Sequence, residues 1–272
     1  MPRPPSANVA ERSTRLVAHG FQLIAPSRFG YLRTALPADP SPESEADTWA
    51  CFLDALRISR LPVIAFSAGA APAVQLALRH PDRVSALVLI VPGAGGLVSE
   101  PAIAPPRALL HVVYRFDFPM WATMRLAPKI MHRLVAVPSS LIPSLPPDDK
   151  ARLDEAIRMI LPVSSRRLGV LNEGNTQGSV RQYPLERVGT PTLLISAADD
   201  LYKTLPVARH AASLIPHSRL IDFTSGGHLL LGRANEVWPA VATFLQREAL
   251  DQPLTTASLG RTEQRSDSRM SA

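Results

Sequence analysis

The sequence predicts an α/β fold in which a mostly parallel sheet is flanked by helices and carries a helical insertion. Three observations predict it. Short apolar runs alternate with amphipathic helical patterns, a proline-rich stretch at 98–187 carries helical patterns alone, and one apolar run leads directly into a tight turn and a helix. Alternating strands and helices favour parallel strands joined by right-handed crossovers, with helices on both faces of the sheet.

The N-terminal half supplies the first of these elements. A short helix at 10–19 ends at Gly20, and the apolar run at 21–26 is predicted to be a strand. A helix at 43–60 follows, with apolar residues at helical spacing. Next come a strand at 61–66, a helix that stops at His80-Pro81, and a strand at 86–91.

The insertion and the C-terminal half complete the pattern. Helical patterns lie near 107–117, 119–136, 148–160 and 164–173, separated by prolines. The alternation then returns with a strand at 191–196, a helix at 205–215, a strand at 219–223 and a helix at 234–249. These elements divide the chain into a core at 10–97 and 188–249, a helical cap at 98–187, and disordered tails at 1–9 and 250–272.

Ser67 lies in the turn between the strand at 61–66 and the helix that follows. Ala65 and Gly69 stand two residues before and after it, and small residues at these positions allow the sharp turn. The Ser67 hydroxyl is then held above the end of the sheet, and the N–H of Ala68 at the helix start can bind an oxyanion. Taken alone, this pattern also fits an ordinary turn serine.

Asp200 and His228 follow two later strands and supply the groups that a serine nucleophile needs. A serine hydroxyl requires a general base, and that base requires a carboxylate to orient it. His228 lies in a glycine loop after the strand at 219–223, and Asp200 follows the strand at 191–196. Because the carboxyl ends of parallel strands share one edge, we expect Ser67, Asp200 and His228 to meet there. Asp199 is the alternative carboxylate.

These motifs resemble the α/β-hydrolase family with a helical cap. The segments FSAGA, LRHPDRVSALVLIVP, PTLLISAADD and SGGHLLLG match the family's pattern in order, and the resemblance spans about residues 14–249. It implies an α/β-hydrolase fold with Ser67 as nucleophile, His228 as base and Asp200 as acid. The apolar cap favours a small apolar ester, lactone or related carbonyl compound as substrate.

The N-terminus departs from the family's pattern. The resemblance implies three strands before the first helix, and these have no counterpart here, so we expect an N-terminally truncated fold. In the family, the third of these N-terminal strands lies in the sheet between the strands that correspond to 21–26 and 61–66. The loop that follows this third strand supplies a second N–H donor to the oxyanion. We expect the sheet to close up or to leave a gap there, with Ala68 as the remaining donor. A non-catalytic protein of the same fold is the alternative function.

Three side chains are candidates for substrate contact. Phe66 directly precedes the serine, Arg28 follows the strand at 21–26, and Trp121 lies in the predicted cap. For Arg28 and Trp121 the alternative role is packing.

Composition and charge argue against several other classes of protein. The net charge is +6, but the arginines are scattered, so nucleic-acid binding is not expected. No apolar run is long enough to span a bilayer and the N-terminus does not resemble a signal peptide, so no membrane partner is expected. The single cysteine fits a cytoplasmic, reducing compartment. No metal or cofactor is expected, because the sequence has neither histidines at metal-ligand spacing nor a phosphate-binding loop. The expected partners are a small-molecule substrate and, through the cap, a second copy of the chain in a homodimer.

Overall fold

The computed structural model describes residues 15–98, 113–178 and 182–250, and its centre is a parallel sheet. Four strands lie in the order β1-β2-β3-β4, and every neighbouring pair is parallel. Their bounds, close to those predicted, are β1 Leu61–Phe66, β2 Val84–Ile90, β3 Thr192–Ala197 and β4 Ser218–Phe223. The two central strands, β2 and β3, are almost entirely buried, which is why they are continuous apolar runs.

Helices cover both faces of the sheet. On one face lie α1 (Pro42–Ala55), α2 (Ala70–Arg79) and α7 (Thr204–Leu214), and on the other lies α8 (Ala234–Leu250). Side chains of β2 alternate between the two layers: Leu87 and Leu89 join the first cluster, whereas Val88 and Ile90 join the second. Within the described residues, no helix is long and apolar enough to cross a bilayer.

Among the described residues between β2 and β3, inside the predicted insertion, the structure has four α-helices. They are α3 (Asp117–Leu126), α4 (Pro128–Leu134), α5 (Pro147–Arg158) and α6 (Arg167–Gln177). The helix expected at 119–136 is divided in two, because Pro128 cannot continue the hydrogen bonding of α3 and instead begins α4. Most of the helix predicted at 107–117 lies outside the described residues. A separate apolar cluster joins α3, α4 and α5 to Leu231 and Leu229 near the C-terminal end of the sheet.

The segment at 21–26 is not a strand, and this corrects the sequence-based expectation. It forms no ladder with β1, and all but Phe21 of its six residues are exposed. Between the segment and β1 lies an apolar cavity of about 490 Å³, here called the β1 cleft, which all residues of 21–26 and of β1 line. Successive strand residues point to opposite faces, so a cavity that meets every residue of β1 lies along the edge of the sheet. The sheet was expected either to close up beside β1 or to leave a gap there, and the structure has a gap.

Candidate active site

Ser67 stands where β1 ends, in a backbone conformation that few residues adopt. β1 stops at Phe66, a turn of 3-10 helix covers Ser67–Gly69, and α2 starts at Ala70. Ser67 has φ 49°, in the left-handed region, which is costly for a residue with a Cβ. The turn is held because the Ser67 carbonyl accepts hydrogen bonds from the N–H groups of Ala70 and, at 3.0 Å, of Gly93. Ala68 is among the first residues of this helical start, whose N–H groups lack partners within the helix.

Asp200 follows β3 and accepts three hydrogen bonds while fully buried. Its Oδ2 atom accepts from Nδ1 of His228 at 2.8 Å and from the hydroxyl of Thr204. Its Oδ1 atom accepts from the backbone N–H of Tyr202 at 2.9 Å. Because a carboxylate only accepts, the proton of His228 lies on Nδ1, and Nε2 is left free to act as a base. Asp200 and His228 thus form a buried carboxylate–imidazole pair at the carboxyl ends of the strands.

Asp199 makes a different contact and supports the histidine loop. Its Oδ1 atom accepts the backbone N–H of Gly227 at 2.8 Å, so it fixes the residue directly before His228. Gly227 has φ 59°, and a Cβ there would lie 3.2 Å from Val137 and Pro138. The turn after α4 also touches both loops, since the carbonyl of Ala136 accepts from the N–H groups of Leu201 and His228 at 3.3 Å.

The Ser67 hydroxyl and His228 are not joined in this conformation. Within the described residues, no hydrogen bond connects the Ser67 hydroxyl to the His228 ring. The topology still brings Ser67, Asp200 and His228 to the same edge, because each follows the carboxyl end of a strand of one parallel sheet.

A second cavity, of about 380 Å³, opens at His228 and is here called the His228 cavity. Tyr202 stands edge-on to the imidazole, with ring centroids 4.9 Å apart, and donates its hydroxyl to the carbonyl of Leu134 at 2.6 Å. Burial raises the pKa of Tyr202 to about 12 and also raises that of Tyr114, so both phenols stay protonated near neutral pH. The remaining lining is apolar apart from Arg166: Leu134, Val135, Ala156, Met159, Ile160, Val170 and Leu229.

Comparison with known proteins identifies the family to which this fold belongs. A family model described as the alpha/beta hydrolase fold matches residues 6–232. The chain belongs to this family. An uncharacterized hydrolase, YcgS, from Bacillus subtilis (strain 168) is 27% identical over 248 residues, which are 86% of this chain and 85% of the relative.

Two further matches extend across most of this alpha/beta hydrolase. A Pseudomonas putida protein named 2-hydroxy-6-oxononadienedioate/2-hydroxy-6-oxononatrienedioate hydrolase 2 is 27% identical over 233 residues, 82% of this chain and 76% of its own length. The solved structure of an alpha/beta hydrolase fold protein from Nakamurella multipartita superposes with a TM-score of 0.69. It is 24% identical and covers 90% of this chain and 89% of its own, which supports the shared fold.

Arg28, a candidate for either substrate contact or packing, joins the core of this alpha/beta hydrolase to α6. Its Nε and Nη2 atoms donate to Glu45 of α1 at 3.2 and 3.0 Å, and its Nη1 atom donates to Glu173 of α6. The guanidinium is rigid and planar, and its N–H donors thus contact two carboxylates, one on each side. Next to it, the chain packs directly on α6: a Cβ on Gly30, at φ 75°, would lie 2.5 Å from the backbone nitrogen of Gly169.

Phe66 and Trp121 also lie outside the His228 cavity of the described chain. Phe66 and Arg28 both line the β1 cleft, and the ring of Phe66 packs 6.3 Å from that of Trp238. Trp121 is 47% exposed on α3 and stacks on Phe118 with centroids 5.7 Å apart. Sequence reasoning missed Tyr202 and Thr204, which bind Asp200. Their positions two and four residues after the acid were the available signal, because short loops after strands fold back on their first residue.

The carboxyl group of Glu173 gives the first testable prediction. Burial raises its pKa above the ordinary 4.5, while Arg28 and the hydroxyl of Tyr31 act in the opposite direction. A group whose pKa is raised by folding adds stability below its unfolded pKa, and that stability is lost as the pH rises through the folded value. We therefore expect Glu173→Gln, which cannot titrate, to lose less stability than the wild type between pH 4.5 and 8.

Urea unfolding at several pH values measures this difference. The matched control is Glu186→Gln, which replaces an exposed carboxylate on the same chain. The unfolding free energies of the control and the wild type should run parallel with pH. If the unfolding free energy of Glu173→Gln also changes with pH in parallel with that of the wild type, the ionisation of buried Glu173 does not destabilise the fold.

Proposed function

We propose that this alpha/beta hydrolase is a serine hydrolase that uses Ser67, His228 and Asp200 on small apolar esters, lactones or related carbonyl compounds. The observation that carries the proposal is the 2.8 Å contact between Asp200 and His228 Nδ1, at the sheet edge where Ser67 follows β1. Such a contact fixes the tautomer in which Nε2 can accept the serine proton. A buried carboxylate is costly unless it is hydrogen-bonded and paired, and His228 is the ionisable partner of Asp200.

In the proposed reaction, the Ser67 hydroxyl oxygen attacks the carbonyl carbon while its proton passes to Nε2 of His228. The N–H of Ala68 donates to the oxygen that becomes negatively charged. His228 then gives its proton to the leaving alkoxide, and an acyl group remains on Ser67. Water then enters and its oxygen attacks the acyl carbon while one of its protons passes to His228. The bond between the Ser67 oxygen and the acyl carbon breaks, His228 returns the proton to the Ser67 oxygen, and the acyl group leaves as a carboxylic acid. The Ser67 hydroxyl must come within hydrogen-bond reach of Nε2 before the first step.

The His228 cavity supports the proposed substrate class. Most of its lining is aliphatic, and Tyr114, Tyr202, Arg166 and His228 itself are its polar members. A site of this kind favours an apolar compound with few polar groups. The substrate in the name of the Pseudomonas putida relative is a carbonyl compound with two carboxylates, and a Caulobacter relative is named a putative carbamate hydrolase. Both named substrates contain a carbonyl group.

Labelling with a fluorophosphonate probe tests the proposal. The probe reacts with an activated serine and leaves a phosphonyl group on its oxygen. We expect mass spectrometry to find one adduct on the peptide that contains Ser67 in folded protein. Ser67→Ala and heat-unfolded wild type are the controls and should carry no adduct there. Absence of the adduct from folded wild type would refute the role of Ser67.

A second candidate is an alpha/beta hydrolase fold that binds small molecules without turnover. Two observations favour it: the β1 cleft leaves one edge of the strand before Ser67 without a neighbour, and the Ser67 hydroxyl is not bonded to His228 in the described chain. Ala68 is also the one oxyanion donor proposed here, and loss of one donor lowers kcat by about 100- to 1,000-fold. A Ser67 adduct without hydrolysis of any ester in a p-nitrophenyl series would favour this second candidate.

A further inference from the structure

Two donors share a single oxygen of Asp200. Oδ2 accepts from Nδ1 of His228 and also from Oγ1 of Thr204, the first residue of α7. Asp200 has no exposed surface and Thr204 is 2% exposed, so water does not compete with either contact. The negative charge that holds His228 is therefore divided between two hydrogen bonds.

The direction of the hydroxyl protons follows from the chemistry of the acceptor. A carboxylate has no proton to give, so the hydroxyl of Thr204 must donate to Asp200. Its oxygen can then only accept from Ser196 Oγ, which lies 2.9 Å away and is fully buried at the end of β3. A single chain of donors results, from Ser196 to Thr204 to Asp200, with His228 donating to the same carboxylate. Each bond in such a chain polarises the next.

We propose that Thr204, oriented by Ser196, is a positioning residue that competes with His228 for Oδ2 of Asp200 and weakens the hold of Asp200 on the protonated imidazole. A base that is held less strongly in its protonated form remains available at lower pH. Thr204 thereby extends the working range of His228 toward acid. The role in hydrolysis rests on the proposed function, whereas the effect on His228 itself does not.

Removal of the Thr204 hydroxyl shifts the titration of His228 in a direction that distinguishes competition for Asp200 from simple support of Asp200. If Thr204 competes, its removal leaves more negative charge for His228, and the protonated imidazole gains stability. If Thr204 merely holds Asp200 in place, its removal loosens the contact with His228, and the protonated imidazole loses stability. The two roles therefore move the titration of His228 in opposite directions.

The other titratable groups that face this arrangement are unchanged in the variants. Tyr202 lies edge-on to His228, and Tyr114 and Arg166 line the same cavity. Asp199 is the nearby carboxylate, bonded to the N–H of Gly227. None of these side chains is bonded to Thr204 or Ser196 among the described residues, so a shift on substitution belongs to the donor chain.

The test is the titration of the His228 ring followed by NMR in the full chain, with the signal assigned by its absence from His228→Gln. Thr204→Val keeps the shape of the side chain and removes the hydroxyl. We expect the midpoint to rise by about 0.5 pH unit, which corresponds to part of one buried hydrogen bond. Thr204→Ser should restore the wild-type midpoint. Ser196→Ala should raise it by a smaller amount, because Thr204 then donates less strongly.

An unchanged or lowered midpoint in Thr204→Val, or failure of Thr204→Ser to restore it, would overturn the proposal. If Thr204→Val does not fold, the direction of the Ser196→Ala shift decides. The acidic limb of the kcat/KM profile should move upward with the midpoint. Raised midpoints without any turnover in the wild type would reject the hydrolase and leave the competition intact. Turnover by the wild type together with unchanged midpoints in the variants would support the hydrolase and reject the competition.

Discussion

Replacing Asp200 with Asn is expected to lower kcat by about 10,000-fold while the protein stays folded. The reason is the tautomer of His228. The asparagine side chain can still accept from the N–H of Tyr202 through its carbonyl oxygen, which leaves its NH₂ group in the place of Oδ2. That group donates, so Nδ1 of His228 must accept and its proton moves to Nε2. An Nε2–H cannot take the proton of Ser67.

Asp199→Asn is the matched control for this experiment. The two acids are adjacent, and each accepts a backbone N–H, but Asp199 bonds to Gly227 and Asp200 bonds to His228. The amide introduced by Asp199→Asn keeps a carbonyl acceptor for Gly227, so we expect kcat to change by less than about fivefold. Rates on a p-nitrophenyl ester, with circular dichroism melts of both variants, measure the difference. Equal losses in the two variants would mean that the acid has been misassigned.

The local parts of the fold and site were predictable from sequence because they depend on neighbouring residues. The first three strands are short, mainly apolar runs bounded by turn residues, and the elbow at Ser67 needs small residues two positions away on either side. The order of Ser67, Asp200 and His228 along three strand ends then fixes their common edge, because all strands of the sheet are parallel.

The segment at 21–26 shows where such reasoning stops. Its composition is that of a strand, but a strand requires a hydrogen-bonded neighbour, and beside this segment lies the β1 cleft. Arg28 shows the same limit for side chains. It was expected to face the substrate because it follows an apolar run, yet its partners lie 17 and 145 positions away. A charge on a loop does not reveal which distant carboxylate it meets.

Arg28→Met is expected to lower the free energy of unfolding by about 3 kcal/mol, with a fall in Tm of about 10 °C. Arg28 is the cation between Glu45 and Glu173, and the side chain of Glu45 is only 2% exposed. Without the guanidinium, Glu45 keeps one N–H donor, from Phe29 at 3.2 Å, and two carboxylates are left facing each other. An uncompensated buried charge costs more than its ion pair contributed.

Arg79→Met separates burial from the geometry of the pair. Arg79 also forms a fork on one carboxylate, with Nε and Nη2 at 2.8 and 2.6 Å from Asp47. Here, however, the two side chains are 44% and 43% exposed, so water can solvate Asp47 when the arginine is removed. We expect a loss below about 1 kcal/mol. Thermal melts and urea unfolding compare the two variants directly. Equal losses would show that the bridge from Arg28 to α6 is no stronger than a surface ion pair, and that packing at Gly30 and Gly169 holds this junction instead.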